Sequence, residues 1–251
     1  MNEIQQYYCE NEVGIEYIYC NDSVISYSKH NHVSVYVITL LLSGEIVIRK
    51  GAVSYKCKPN KYFIIKPYET HSISLKTDSY NMISVCINKK LINDWNIDKI
   101  LLIIRNDLEY FFDKKLINCE NTFLILGAIR EIYLLDRSKN MDRNMNLLAC
   151  YIQNNPEKDF NINQMSEKIY ISKYHLLRKF KKEIGITPHK FQIQNKVRKA
   201  QQLLNKKVSI TEVALEMGFY DQSHFIRHFK NIVGITPTEY IKSYVKLDNK
   251  K

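Results

Sequence analysis

Paired cysteines, long apolar runs and an acidic surplus are all missing from this chain of 251 residues. The six cysteines (Cys9, Cys20, Cys57, Cys86, Cys119 and Cys150) form no CxxC pair. Their spacing excludes a zinc ribbon and fits the scattered, reduced thiols of a cytoplasmic protein. No apolar run reaches the ~18 residues expected of a membrane span; the run at 35–42 is interrupted by Thr39. The opening MNEIQQYYCE has neither a basic stretch nor an apolar core, so no signal peptide is expected. What is present is a hydrophobic share of 45% and a charged share of 25%. That balance supports a packed core and argues against wholesale disorder.

Charge is distributed unevenly. Residues 1–137 carry 16 basic and 16 acidic side chains, whereas residues 138–251 carry 21 and 10, so the whole surplus of +11 lies in the second part. One neutral and one basic domain are expected, 1–137 and 138–251, the latter suited to a polyanion. A solvated basic surface without a partner would have the same composition, so the charge alone leaves both readings open.

The first ~87 residues carry the short alternating or β-branched runs of strands: 13–19, 33–42, 45–49, 62–65, 72–75 and 82–87, with turn signals at Ser43-Gly44 and Lys50-Gly51. Close spacing of such runs predicts a sandwich or barrel. Helical spacing follows, through Leu101, Ile104, Leu108, Phe111 and Phe112, then Phe123, Leu126, Ile129, Ile132, Tyr133 and Leu135. These two helices either cover the strands or pair with a second subunit. Arg137-Ser-Lys-Asn140 is a polar break, and everything beyond it reads as helix.

An internal repeat fills the basic part. His175-Leu-Leu-Arg178-Lys-Phe180-Lys181, ending in Gly185-Ile-Thr187-Pro188, returns 49 residues later as His224-Phe-Ile-Arg227-His-Phe229-Lys230, ending in Gly234-Ile-Thr236-Pro237. Each copy predicts helix, tight turn, helix: 163–170 then 172–184, and 210–217 then 222–233. Ser172 and Asp221 are suited to cap the second helices; Gly185 and Gly234 are suited to end them. The inner stripes are Leu176, Phe180 and Ile184 in one copy and Phe225, Phe229 and Ile232 in the other. Thr187-Pro188 and Thr236-Pro237 start further helices, and a stiff helix over 188–204 would set the separation of the two copies.

The outward faces have the chemistry of duplex recognition. Arg178 and Arg227 can grip guanine, Gln222 can read adenine, and Leu177 and Ile226 suit thymine methyls. Lys173, Tyr174 and Ser223 complete the expected base-reading set. Ser172, Lys181, Lys182, Thr187, Lys230 and Thr236 are expected at phosphates, which fixes register. Surface ion pairs for the arginines and interdomain packing for Leu177 and Ile226 are the competing structural reading. Recurrence at equivalent positions in a basic domain favours DNA.

The run 210–230, followed by Gly234-Ile-Thr-Pro-Thr-Glu-Tyr240, resembles the C-terminal signature of the AraC/XylS family of bacterial transcription regulators. The likeness covers about residues 142–251. It implies two helix-turn-helix units in successive major grooves, with double-stranded DNA and RNA polymerase as partners. In the first unit Tyr170-Ile171 stands where the second has Gly218-Phe219. The N-terminal part resembles the family's small cupin-like sensor barrel, through His30-Asn-His32, Gly44-Glu45, Pro59 and Pro67-Tyr-Glu-Thr-His71.

The fold class so implied is α+β: a cupin-like β-barrel with two following helices, then an all-α domain of two helix-turn-helix units joined by a long helix. Cupin enzymes hold a metal with an HxH pair, a glutamate and a later histidine. Here Val33 to Val37 supply no glutamate, and Glu45 is a poor substitute, so neither metal, cofactor nor catalysis is expected. His30, His32 and His71 are expected instead as contacts for an organic effector, or as structural groups at the barrel mouth. The resemblance implies an effector-responsive regulator, read here as an activator. It answers to a small molecule or a regulatory protein and forms a homodimer through helices at 97–136.

Overall fold

The computed structural model describes residues 6–11, 13–32, 35–135, 142–158 and 160–247. The chain divides into two compact units, Met1–Lys139 with Ser243–Lys251, and Asn140–Lys242. The break expected at 137–140 lies outside the described residues.

Among the described residues the first unit holds ten strands: β1 (Gln6–Glu10), β2 (Glu16–Ser23), β3 (Tyr27–His30), β4 (Val35–Ser43), β5 (Ile46–Lys50), β6 (Val53–Cys57), β7 (Lys61–Ile65), β8 (His71–Leu75), β9 (Tyr80–Asn88) and β10 (Tyr244–Lys246). Three helices follow β9: α1 (Lys89–Asp94), α2 (Ile97–Asp113) and α3 (Cys119–Leu135). Asn88 and Asn96 cap α1 and α2 by accepting from the Lys90 and Asp98 amides.

The strands form two sheets, in the orders β10-β1-β2-β9-β4-β7 and β3-β8-β5-β6. The expected closed barrel is therefore replaced, among the described strands, by two open sheets. The alternation of side chains explains the arrangement. In β4 every residue from Val35 to Leu41 is buried. Tyr36, Ile38 and Leu40 pack with α2 and α3, through Ile104, Leu108, Phe111 and Ile129. Val35, Val37 and Leu41 pack with Ile46, Ile48 and Ile73 of the other sheet. The β9 strand divides in the same way, Ile83, Val85 and Ile87 to one core and Met82 and Cys86 to the other. A strand covered on both faces needs a near-continuous apolar run, which is why 33–42 and 82–87 stand out in the sequence; the two buried hydroxyls within them, Thr39 and Ser84, hydrogen-bond each other at 2.8 Å.

β10 pairs in parallel with β1, Tyr8 opposite Tyr244. The expectation that everything after residue 140 is helical is corrected at this strand. Three residues are too few to show a period, and pairing with β1 supplies what local sequence does not.

A polar cluster crosses the helix-covered core. Buried Asp107 on α2 accepts from the Asn11 amide and from the Tyr17 hydroxyl, each at 2.6 Å. Burial raises the Asp107 carboxyl above its ordinary value, while the hydrogen bonds from Tyr17 and Asn11 pull it back. A folded value above the unfolded one favours folding in acid, and that contribution is lost as pH rises past the ordinary carboxylate range. Asp107→Asn keeps an acceptor oxygen and never carries charge. It is expected to raise the melting temperature more at pH 7 than at pH 3. Asp107→Leu orphans two buried donors and is expected to cost about 2–6 kcal/mol, at ~1–3 kcal/mol for each. Thermal and urea unfolding at both pH values check this; an equal shift for Asp107→Asn at the two would contradict it.

Candidate nucleic-acid interface

The second unit is helical: α4 (Arg143–Asn154), α5 (Ile162–Lys168), α6 (Lys173–Ile184), α7 (Pro188–Asn205), α8 (Ile210–Glu216), α9 (Gln222–Val233) and α10 (Pro237–Ser243). The two repeats become α5–turn–α6 and α8–turn–α9. Ser172 caps α6 by accepting from the His175 amide, and Asp221 caps α9 through the His224 amide at 2.6 Å. Gly185 and Gly234 end these helices in the left-handed region, at φ 87° and 96°. Leu176, Phe180 and Ile184 are buried along α6, as expected. Along α9 the buried stripe is Phe225, Phe229 and Val233, so it closes on Val233 in place of Ile232. Ile232 is half-buried beside it, and both positions fall within the apolar face of a helix.

The connecting helix α7 has 18 residues, about 27 Å at 1.5 Å per residue. Phe191 on α7 meets Phe180 of α6, ring centroids 5.5 Å apart. Lys196, also on α7, is buried and donates to the Gly218 carbonyl at 3.0 Å in the turn before α9. The Gln192 amide reaches the Pro156 and Lys158 carbonyls at 3.0 and 2.7 Å. Lys179 of α6 pairs with Asp142 at 2.7 Å. This contact, first among its causes, holds the Asp142 carboxyl below the usual range. Both outer helices are thus fixed within the unit.

The remaining face of each helix is open. Lys173, Tyr174 and Arg178 on α6 are exposed and Leu177 is half-buried; on α9, Gln222, Ser223 and Arg227 are exposed and Ile226 is half-buried. Neither Arg178 nor Arg227 enters an ion pair among the described residues. The side-chain oxygen of exposed Gln222 accepts from the Thr211 hydroxyl at 3.2 Å, which leaves its NH2 group as a donor. Lys181, Lys182 and Lys230 are exposed in the last turns of α6 and α9. They also offset the negative helix ends there.

The three hydroxyls expected at phosphates are engaged in the fold. Ser172 and Thr187 cap helices. Thr236 donates to Glu239 at 2.8 Å and accepts from its amide, so its proton is already used.

Sequence reasoning missed three features of this face. Tyr220 is 93% exposed in the turn before α9. His224 and His228 sit one turn apart with Nε2 atoms at 2.9 Å. Burial, then His224, lowers the His228 imidazole. The i, i+4 spacing was the available signal for the pair. The third is conformational: Tyr170, 95% exposed, holds φ 54°, matching φ 62° at Gly218 in the other copy.

The three N-terminal histidines lie in the first unit. β3 and β8 pair with His30 opposite His71. Ring centroids are 4.2 Å apart for His30 and His71, and 5.1 Å from His32 to each. His71 is buried, and burial, then the neighbouring His30, brings it down to about 3. Glu45 pairs with Lys56 at 3.6 Å. His71 is registered with Lys50 at the far end of β5, which puts Glu45 about 17 Å along the strand from the histidines at ~3.4 Å per residue.

Residues 165–243 match the protein family described as "Helix-turn-helix domain". The chain is 25% identical over 213 residues to the uncharacterised HTH-type transcriptional regulator YbfI of Bacillus subtilis, covering 75% of this chain and 78% of that protein. Over 100 residues it is 26% identical to the HTH-type transcriptional activator RhaS of Escherichia coli, covering 39% of this chain and 36% of that one. Among solved structures, ToxT from Vibrio cholerae, bound to an unsaturated fatty acid, has the same fold, with a TM-score of 0.60 at 15% identity. The match covers 99% of this chain and all of that one. No helix is long and apolar enough to cross a membrane among the described residues.

The two turns yield a test of opposite signs. A left-handed residue other than glycine costs about 1–2 kcal/mol, offset in part by glycine's greater freedom when unfolded. Tyr170→Gly is expected to stabilise by about 0.5–1 kcal/mol on that balance. Gly218→Ala is expected to destabilise by about 1–2 kcal/mol, since its Cβ would also meet the Glu157 carbonyl and Lys196 Nζ at 3.3 Å. Urea unfolding of both variants checks this; a loss of stability in Tyr170→Gly would contradict it.

Proposed function

Taking as premise that the chain is a transcription regulator with an AraC-type helix-turn-helix DNA-binding domain at its C-terminus, we propose that α6 and α9 are two recognition helices reading successive major grooves, one turn of duplex apart. The observation that carries this reading is the pair of equivalent open faces, Arg178 with Leu177 and Arg227 with Ile226, on helices whose other sides are buried. Arginine supplies bidentate contact to guanine and the aliphatic neighbours contact thymine methyls. Lys173, Tyr174, Gln222 and Ser223 complete the base-reading set. Lys181, Lys182 and Lys230 hold phosphates, and Ser172, Thr187 and Thr236 approach them chiefly through the helix starts they cap.

Residues 1–137 act as the sensing and dimerisation domain and residues 138–251 as the DNA-binding domain of a cytoplasmic, effector-responsive activator that contacts RNA polymerase. The N-terminal part is a cupin-like sensor in this reading. ToxT, of the same fold, was crystallised with a small molecule bound, and RhaS, similar over the C-terminal part, is named an activator. Phe123 and Leu134 on α3, 75% and 76% exposed, favour pairing of two chains through the helices at 97–136. The effector acts by population shift, preferring the DNA-competent arrangement. Operator DNA then tightens effector binding by the factor that effector tightens the operator, which paired titrations read directly. The named relatives are regulators, and this favours the present reading over a metalloenzyme carrying a DNA-targeting module.

Binding of the preferred site by variants tests the assignment. Arg178→Ala and Arg227→Ala are each expected to lose about 1–3 kcal/mol and to relax preference in a different half of the site. Lys181→Ala is expected to weaken all sequences alike and to reduce the salt slope by about 1. If both arginine variants lose affinity without any change in sequence preference, the proposed role of these faces is wrong.

A further inference from the structure

The geometry points to a divalent transition-metal site formed by the imidazoles of His30, His32 and His71, with one coordination position left open. This goes beyond the DNA-binding reading and stands apart from it, because the residues belong to the first unit and none lies on the recognition helices.

Each imidazole offers one ligand atom, and these atoms all lie within 4.8 Å of one another. Among the described residues this is the group of histidine, cysteine and carboxylate side chains close enough to share an ion. Tetrahedral coordination at ~2.0–2.1 Å per Zn–N bond asks for nitrogens ~3.4 Å apart. Bringing ligand atoms that lie within 4.8 Å of one another to that spacing takes side-chain rotation.

The backbone around the rings already sets two of them up as ligands. His30 Nδ1 lies 2.7 Å from the Ser28 carbonyl, and His71 Nδ1 lies 3.1 Å from the Glu69 carbonyl. A carbonyl only accepts, so each Nδ1 carries the proton and each Nε2 keeps its lone pair. Metal-bound histidines usually make this outer hydrogen bond, which fixes the tautomer and the ring orientation. His32 is positioned by its own backbone, whose carbonyl accepts from the Tyr68 amide at 2.8 Å in the 66–70 loop that leads into His71. The register of β3 on β8 places His30 across from His71.

Charge is compatible with a cation. Lys50, registered with His71 on the neighbouring strand, is paired with Glu69 at 3.1 Å. Three neutral imidazoles leave a bound dication with its full charge, so the open position suits water, hydroxide or the carboxylate of a small molecule. The sequence argued against a metal because a glutamate was missing. Three histidines without a carboxylate form a complete zinc ligand set when the fourth position is left to solvent.

The test is a cobalt(II) titration of untagged, chelator-stripped full-length protein, followed by visible absorption and thermal melting. The expected result is one equivalent bound, with visible bands of four- or five-coordinate cobalt and a raised melting temperature. His30→Ala and His32→Ala, both at half-buried positions, are expected to abolish the bands and the shift while leaving the metal-free melt near wild type. His71 is buried, so a failure of His71→Ala to fold does not enter the test. His224→Ala, in the other unit, should bind cobalt as wild type does. Absence of visible bands in the wild type, bands that persist in the His30→Ala/His32→Ala double variant, or thiolate charge-transfer absorption that places cobalt on the cysteines would each overturn the proposal.

Discussion

Burial of one stripe on each of two short helices is the constraint on which the functional face depends. Leu176, Phe180 and Ile184, and Phe225, Phe229 and Val233, sit at helical intervals and are all removed from solvent. A fully buried side chain of this size contributes about 1.5–3 kcal/mol, more than any surface pair here could. The rotation of α6 and α9 about their axes is fixed by that burial. Once fixed, it leaves Arg178 and Arg227 exposed at equivalent positions, in no ion pair among the described residues. Phe180 against Phe191, and Lys196 against the Gly218 carbonyl, carry the constraint from each recognition helix to α7. Both open faces are therefore tied to one rigid connector.

The first unit is governed by a different limit. Its central strands β4 and β9 are covered on both sides, by helices on one face and a second sheet on the other. Charge inside such a structure is costly, and Asp107 is accommodated by donors from Asn11 and Tyr17. The buried thiols follow the same logic: burial pushes Cys9 up to about 12 and Cys57 up to about 11, leaving them protonated and inert. The histidine group departs from this pattern, with two half-buried imidazoles gathered beside a buried one at the end of β3 and β8.

Legibility in the sequence followed the strength of local signals. The repeat was plain because each copy writes cap, stripe, terminating glycine and Thr-Pro in the same order. Strands β4 and β9 were plain because burial on two faces demands near-continuous apolar runs. Strands β1, β3 and β6 were not, since QYYCE, YSKH and VSYKC mix polar and apolar groups, and β3 and β6 lie at the edges of their sheet. The three-residue β10 depends on a partner more than 230 residues away. Closure of the sheet was likewise invisible, because alternation gives the face of a residue but not the strand beside it. Within the interface, the outward residues followed from the stripe. The engagement of Thr236 by Glu239 was missed although Thr-Pro-Thr-Glu spells a capping box. The left-handed Tyr170 became evident only from its backbone, since nothing in a tyrosine signals that conformation.

The most direct test of two recognition helices on one connector is selection of binding sites from random duplex DNA by the full-length protein at two salt concentrations. A bipartite motif with centres about 10 bp apart is expected, enriched at both salts and retained by residues 138–251 alone. Binding that fades with salt and selects no motif, in the full chain and in the C-terminal fragment alike, would reduce the basic unit to a nonspecific anchor and contradict it.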